Sequence, residues 1–372
     1  MEADVLPKLA HARVFSVVDV KNGYWHVKLD QQASKLTTFG TPYGRYRWAR
    51  LPFGVSVAQE LFQRKLDKEL EGPSNVAKIA DDVLVWGNGQ DANEAYPDHD
   101  AHMSHLLRKM DAAGVKLNPE KLVNRRRKVI LAGYVLSDEG HTPDPSKVSP
   151  IAQMERPSNV TELRRFCGMV NYLAKFVDRL ATLMEPLRQL TCQSVRWSWE
   201  HEHTEAFERI KAALISAPLL AYFDPAKEAT LQCDASQYGL GAALLQEGRP
   251  IAYASRSLSE TERSYAQIEK ELLSVLFAME RFDMYTYGRP IHVHSDHQPL
   301  QTIVRKPLAA ALKHLQRMLL RMQRYDFTLQ YKKGSELYLA DTLSRLHPSS
   351  TDKDSVASVL LSPFEKSLRF AA

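Results

Sequence analysis

The chain alternates between segments of strand period and segments of helix period. Residues 13–30 read as an apolar strand ending after Val18, a tight turn at Asn22-Gly23, and a second strand in which Trp25, Val27 and Leu29 alternate with polar residues. A helix with apolar positions Leu61, Phe62, Leu66 and Leu70 follows, stopped by Gly72-Pro73. Residues 77–85 form a strand broken in its middle by Asp81-Asp82, 98–113 a helix ending at Gly114, and 129–136 a hairpin arm before the turn Ser137-Asp138-Glu139-Gly140. Thr142-Pro143-Asp144-Pro145 has the composition of a linker.

Beyond that linker the period is helical. Asn159 stands as N-cap with Glu162 three residues on, followed by Leu163, Phe166, Val170 and Leu173, and a second helical run over 203–216 is closed by Pro218. From Ala229 strands return: 229–233, 239–246 and 250–255 read as a meander with a turn at Glu247-Gly248-Arg249. A long helix over 265–285, a strand over 291–295, a helix over 309–324, a strand over 326–331 and a terminal helix near 337–346 complete the pattern. The tail from His347 is rich in Ser, Pro and Asp and is expected to lack order. No internal repeat is visible.

At 372 residues the length fits two or three domains, and 44% hydrophobic with 25% charged residues is ordinary for a globular chain with a sizeable core. The net charge of +5 is compatible with a polyanionic partner, and local basic clusters at Arg125-Arg126-Arg127-Lys128, Arg164-Arg165 and the helix around Lys313 to Arg324 point the same way. Cys167, Cys192 and Cys233 are odd in number and far apart, so they read as reduced thiols of an intracellular protein. No apolar run reaches membrane-spanning length, and the first residues lack a secretory pattern, so no membrane partner is expected. The sequon Asn159-Val160-Thr161 falls where a helix starts and is not expected to be glycosylated.

Seven acidic residues carry the candidate chemistry. Asp19 follows an apolar strand, and Asp81-Asp82 interrupt another; adjacent strand residues point to opposite faces, so an Asp-Asp pair converges on one site only at a sharp hairpin turn. Asp234 and Asp296 end strands, Glu271 lies on a helix whose apolar face runs Leu272, Val275, Leu276 and Met279, and Asp341 opens the last helix. Two groups of carboxylates in this order are what two separate two-metal phosphoryl-transfer sites need. Glu269 competes with Glu271 for its place, two residues away on a different helical face. His294 and His297 lie three apart across a strand end with no Cys or third His, poor spacing for zinc.

The phrases around these residues resemble, in order, the reverse transcriptase and RNase H of gypsy-type LTR retrotransposons, over about residues 13–347. The first half is carried by Phe15-Ser16-x-x-Asp19-x-x-x-Gly23-Tyr24, Thr41-Pro42-Tyr43-Gly44-Arg45-Tyr46, Leu51-Pro52-Phe53-Gly54-Val55, Phe62-Gln63 and Asp81-Asp82. The second is carried by Cys233-Asp234-Ala235-Ser236-x-x-Gly239-x-Gly241-Ala242, Glu269-Lys270-Glu271-Leu272-Leu273, Ile251-Ala252-Tyr253-Ala254-Ser255-Arg256, His294-Ser295-Asp296-His297 and Ala340-Asp341-Thr342-Leu343-Ser344-Arg345. Thr161–Phe176 resembles the connector of these elements, where Arg164, Arg165 and Lys175 could track a hybrid backbone or simply form a solvated face.

The resemblance implies an α+β multidomain fold: a polymerase palm built on a ferredoxin-like α/β sheet (1–141), helices of a thumb or connection (142–220), an RNase H-like α/β domain (221–347) and a tail (348–372). It implies Asp19, Asp81 and Asp82 as polymerase metal ligands, with the Val20 carbonyl as an extra ligand. Tyr24 would lie under the sugar of the incoming nucleotide, Phe53-Gly54 beside the nascent base pair and Gly133-Tyr134 at the primer grip; Lys121 would contact phosphate or be a solvated surface Lys. Asp234, Glu271, Asp296 and Asp341 would hold the metals of the nuclease. Two Mg²⁺ per site, or Mn²⁺, and an RNA template, DNA primer, RNA–DNA hybrid and deoxynucleoside triphosphates follow as cofactors and partners.

Departures are Ile79 where many relatives have Tyr, Gln59 where Pro is usual, and Lys332-Lys333-Gly334-Ser335-Glu336 without the loop His of retroviral nucleases. The chain begins almost at the Asp19 strand, so the expectation is a polymerase half without its upstream basic clamp for the triphosphate. Three readings stay open: a two-activity enzyme, a nuclease alone, and a non-enzymatic remnant or hybrid-binding protein.

Overall fold

The computed structural model describes residues 5–72, 74–192, 195–305, 308, 313–334 and 337. Two compact units divide it. The first takes residues up to 153 with 217–228 and 249–251; the second takes 154–216, 229–248 and the described residues from 252 onward.

The first unit contains β1 (Ala12–Asp19), α1 (Gln31–Leu36), β2 (Phe39–Thr41), β3 (Gly44–Tyr46), α2 (Ala58–Glu69), β4 (Val76–Ile79), β5 (Asp82–Asn88), α3 (Ala92–Ala112), β6 (Val123–Arg126), β7 (Lys128–Leu131), β8 (Tyr134–Ser137), β9 (Gly140–Pro143) and α4 (Pro145–Ala152). Its main sheet has the order β4-β5-β1-β6, with β7-β8-β9 forming a sheet of their own. Val18, Val83 and Val85 from the sheet pack with Phe62, Leu66 and Leu70 from the α2 segment and with Leu106 and Met110 of α3 in one buried cluster. Each such side chain contributes about 1.5–3 kcal/mol by leaving water. Helix α3 approaches so closely that a Cβ at Gly87 would stand 2.2 Å from the Ala95 carbonyl oxygen.

The strand expected over Trp25–Leu29 does not form. Asn22 adopts a left-handed conformation (φ 54°), and Gly23–His26 turn as a 3-10 helix. Both edges of β1 are already taken, by β5 on one side and β6 on the other, so no ladder is open to a returning strand. Helices α4 and, in the second unit, α6 and α11 were not legible from the periodicity, each being ten residues or fewer and two of them interrupted by Pro150 and Pro186.

The second unit contains α5 (Val160–Tyr172), α6 (Leu180–Gln189), α7 (His201–Ile215), β10 (Ala229–Ala235), β11 (Gly239–Gln246), β12 (Arg249–Ser257, beginning with the three residues grouped in the first unit), α8 (Glu260–Arg263), α9 (Gln267–Arg281), α10 (Asp283–Thr286), β13 (Pro290–Ser295), α11 (Pro299–Arg305), α12 (Lys313–Met322) and β14 (Asp326–Tyr331). The sheet order is β12-β11-β10-β13-β14; β10 pairs antiparallel with β11 and parallel with β13, which is parallel to β14. Strand β11 is buried along its whole length. Helix α9 packs on β10 and β11, burying Leu272, Val275, Leu276 and Met279. The expected N-cap of α5 is present: Asn159 Oδ1 accepts from the Glu162 backbone N–H at 3.0 Å, and Glu162 accepts from Ser158. The terminal helix expected near 337–346 lies outside the described residues, apart from residue 337.

A polar knot lies inside the first unit. The Ser16 hydroxyl is fully buried, 2.8 Å from His99 Nε2 and 2.9 Å from Asn124 Oδ1, and it accepts from the Arg125 backbone N–H. It joins β1, α3 and β6, the bond to His99 buried and those to Asn124 and Arg125 partly so. Ser16→Ala is therefore expected to cost about 1–3 kcal/mol, read by urea unfolding. A loss within the ~0.5 kcal/mol typical of surface substitutions would show that the knot adds nothing.

Candidate active site

The carboxylates of the first unit gather at one end of its sheet. Asp19 is the last residue of β1 and lies opposite Asp82, the first residue of β5. Asp81 occupies the hairpin turn from β4, made possible by Ala80 in a left-handed conformation (φ 52°). The Val20 backbone N–H donates to the Asp81 carbonyl at 2.8 Å, tying the strand end to the turn. Burial raises the pKa of Asp81 and of Asp82, the charge of Asp19 raises them further, and Lys121 opposes both. Lys121 is exposed, and its Nζ donates to Asp19 Oδ2 at 2.9 Å, a bond that raises the lysine's own pKa.

Around this corner, Tyr24 is flanked by two rings, with centroids 5.2 Å from Phe53 and 5.7 Å from Phe62. Phe53 is 64% exposed, and Gly54 beside it has φ 86°. Gly23 is a glycine by necessity, because a Cβ there would stand 2.5 Å from Asp81 Oδ1 and 2.7 Å from the Phe62 ring. Gly133 (φ 83°) makes the β7–β8 turn and Tyr134 is buried after it, edge-on to His141.

In the second unit the convergence is tighter. One carboxylate oxygen from each of Asp234 (β10), Glu271 (α9) and Asp296 (after β13) lies within 4.8 Å of the others, the single such group of three acidic, His or Cys residues among those described. Gln267, one helical turn before Glu271, donates to Glu271 Oε1 at 2.6 Å, which leaves Oε2 buried without a hydrogen-bond partner. Burial, then Asp234, pushes the Glu271 pKa up to about 8. Burial also raises Asp234, against the opposing charge of Arg179. A set of oxygen donors with a buried, idle lone pair and mutual repulsion fits a hard divalent cation. Glu269 is spent elsewhere, accepting from the Ala266 N–H at the start of α9. His294 and His297 are outside the group of three, and Asp341 lies outside the described residues.

Two residues without a sequence signal enter this site. Arg179, in a left-handed conformation (φ 48°) just before α6, bonds Asp234 Oδ2 at 2.9 Å. Its stem crosses Gly241, which pairs with Asp234 in the β10–β11 ladder; a Cβ at Gly241 would lie 3.1 Å from Arg179 Cγ. Asp178 beside it is buried, with neither oxygen completing a hydrogen bond, and burial pushes its pKa up to about 7 against the favourable charge of Arg179. Gln267 did carry a signal, its spacing of four from Glu271. Of the connector cations, Arg164 donates to the Thr191 carbonyl and Lys175 Nζ is buried 5.0 Å over the Phe176 ring.

Two outcomes are expected. Gly23→Ala must displace Asp81 or the Phe62 ring and should cost about 1–3 kcal/mol in denaturant unfolding; unchanged stability would contradict the close approach. Glu271 has a folded pKa raised above its ordinary 4.5, so the folded state binds more protons than the unfolded state. Metal-free stability should therefore fall as pH rises from about 4.5 to about 8 and level off above. Glu271→Gln should flatten part of that fall, the other raised carboxylates (Asp178, Asp234, Asp81 and Asp82) contributing to the rest, as thermal unfolding in chelator across this range would show.

Residues 2–136 match the family model of the reverse transcriptase (RNA-dependent DNA polymerase), and residues 199–293 that of the RNase H-like domain found in reverse transcriptase. The retrovirus-related Pol polyprotein from transposon opus of Drosophila melanogaster is 33% identical over 94% of this chain and 36% of its own length. The Tf2-3 polyprotein of Schizosaccharomyces pombe is 30% identical over 92% of this chain and 26% of its own. The chain thus spans roughly a third of the length of the curated relatives it matches. Among solved structures, the foamy viral protease-reverse transcriptase in complex with double-stranded DNA superposes with a TM-score of 0.78 at 23% identity, over 90% of this chain and 59% of that one. The same viral protein in complex with RNA/DNA hybrid gives 0.73 at 23% identity, over 94% and 47%. The fold is therefore a polymerase palm, a helical connection and an RNase H-like α/β domain, and the chain belongs to the reverse transcriptase and RNase H segment of LTR-retrotransposon Pol polyproteins.

Proposed function

We propose that the chain is an RNA-directed DNA polymerase in its first unit and an RNase H-type endonuclease on RNA–DNA hybrids in its second. The observation that carries the reading is the convergence of Asp234, Glu271 and Asp296 from two strands and a helix. Mg²⁺, when bound, supplies a Lewis acid and an activated water for attack on one phosphate of the RNA strand. The protein's part is orientation: Gln267 fixes one Glu271 oxygen and leaves the other without a hydrogen-bond partner, and the β10–β13 pairing sets Asp234 near Asp296. Asp341 is the proposed fourth carboxylate.

In the first unit Asp19, Asp81 and Asp82 are the proposed ligands. The Tyr24 ring, held between Phe53 and Phe62, is the proposed barrier to a 2′-hydroxyl. The exposed Phe53 with Gly54 is the surface proposed for the nascent pair, and the Gly133-Tyr134 turn for the primer end. Template, primer and hybrid would be gripped through phosphates, so affinity should fall steeply with salt. Deoxynucleoside triphosphates are the proposed substrates. A second reading, nuclease activity alone, is favoured by the contrast between the units: only the second brings three carboxylates within 4.8 Å among the described residues.

Primer extension on an RNA template and cleavage of the RNA in a hybrid, both with Mg²⁺, test the two activities on the same protein. Asp81→Asn should lose extension and keep cleavage, and Asp296→Asn the reverse. Each loss should reach at least the roughly 100-fold seen when even outer supports of a metal site are removed. Cleavage without extension in the parent chain would select the nuclease reading, while cleavage by Asp296→Asn at the parental rate would remove the second site from consideration.

A further inference from the structure

Both carboxylate groups hold a basic side chain against their leading aspartate, and the two cations are held differently. Lys121 bonds Asp19 Oδ2 at 2.9 Å with a side chain 64% exposed, so water can take over its charge at little cost. Arg179 bonds Asp234 Oδ2 at the same 2.9 Å with a side chain 24% exposed, a left-handed backbone at the start of α6, and a stem lying across Gly241. It is more shielded from solvent than Lys121. An ion shared by Asp234, Glu271 and Asp296 competes with the Arg179 guanidinium for the charge of the Asp234 carboxylate.

The residue next to it supplies the alternative. Asp178 is 6% exposed and neither of its oxygens completes a full hydrogen bond, the Arg179 backbone N–H offsetting its burial only weakly, while Arg179 Nε is buried without an acceptor. A buried carboxylate without a side-chain partner is costly unless it gains one in another state. We infer that Arg179 is a resident cation of the second site, bonded to Asp234 in the ion-free protein and transferred to Asp178 when a divalent ion enters. This rests on reading Asp234, Glu271 and Asp296 as a metal site. The transfer keeps every buried charge paired: the ion takes Asp234, and the guanidinium takes the one carboxylate left over. Arg179 is thus a positioning residue whose presence lowers the affinity for the ion, and Asp178 limits that loss.

The test is Mn²⁺ binding to the full chain by electron paramagnetic resonance, in an Asp19→Asn background that silences the first unit. Asp296→Asn should abolish the remaining binding; if it does not, the metal-site reading falls and the inference with it. With that control satisfied, Arg179→Gln should bind Mn²⁺ about tenfold more tightly, a usual size for coupling between two sites. Asp178→Asn should bind several-fold more weakly, because the displaced guanidinium has lost its acceptor. Arg179→Lys, which keeps the charge on a different stem, should fall between parent and Arg179→Gln and covers the case in which Arg179→Gln fails to fold by circular dichroism. Unchanged or weaker binding in the folded Arg179 variants would overturn the exchange while leaving the metal site standing. Parental affinity in Asp178→Asn would overturn the role of Asp178.

Discussion

Bringing negative charges together is the constraint around which both units are organised. Carboxylates a few ångströms apart and partly withdrawn from water repel each other, and the rest of the fold has to hold them there. In the second unit the restraint comes from paired strands β10 and β13 and from the apolar face of α9, which is anchored by fully buried side chains. In the first it comes from a two-sided ladder around β1 and a hairpin whose turn residue, Ala80, accepts a left-handed backbone. The raised pKa values of Asp81, Asp82, Asp234 and Glu271 are the electrostatic signature of this arrangement. Stability and chemistry pull in opposite directions at the same atoms.

Much of this was legible in the residues. Polar pairs inside apolar runs marked the Asp81-Asp82 hairpin, and the meander, the long helix α9 and the strand before Asp296 followed from period and turn chemistry. Of the two glutamates that competed in the sequence, Glu271 stands with Asp234 and Asp296 while Glu269 is used at the helix start. What escaped depended on distant partners. Whether Trp25–Leu29 extends or coils is decided by the occupancy of both β1 edges, which no local pattern records. Arg179 reaches Asp234 across 55 positions through a glycine that reads locally as a mere weakening of a strand.

Glycine has a common use in the two sites. Gly23 leaves room for the Asp81 carboxylate and the Phe62 ring, and Gly241 leaves room for the Arg179 stem. In each case the missing side chain stands beside a carboxylate proposed to hold a metal ion, so a residue that packs nothing decides how closely charge can be approached.

The path of the chain between the units has its own consequence. Residues 217–228 and 249–251 group with the first unit although they are bracketed by residues of the second. A single cut at any position along the chain would therefore leave one piece carrying residues that group with the other unit.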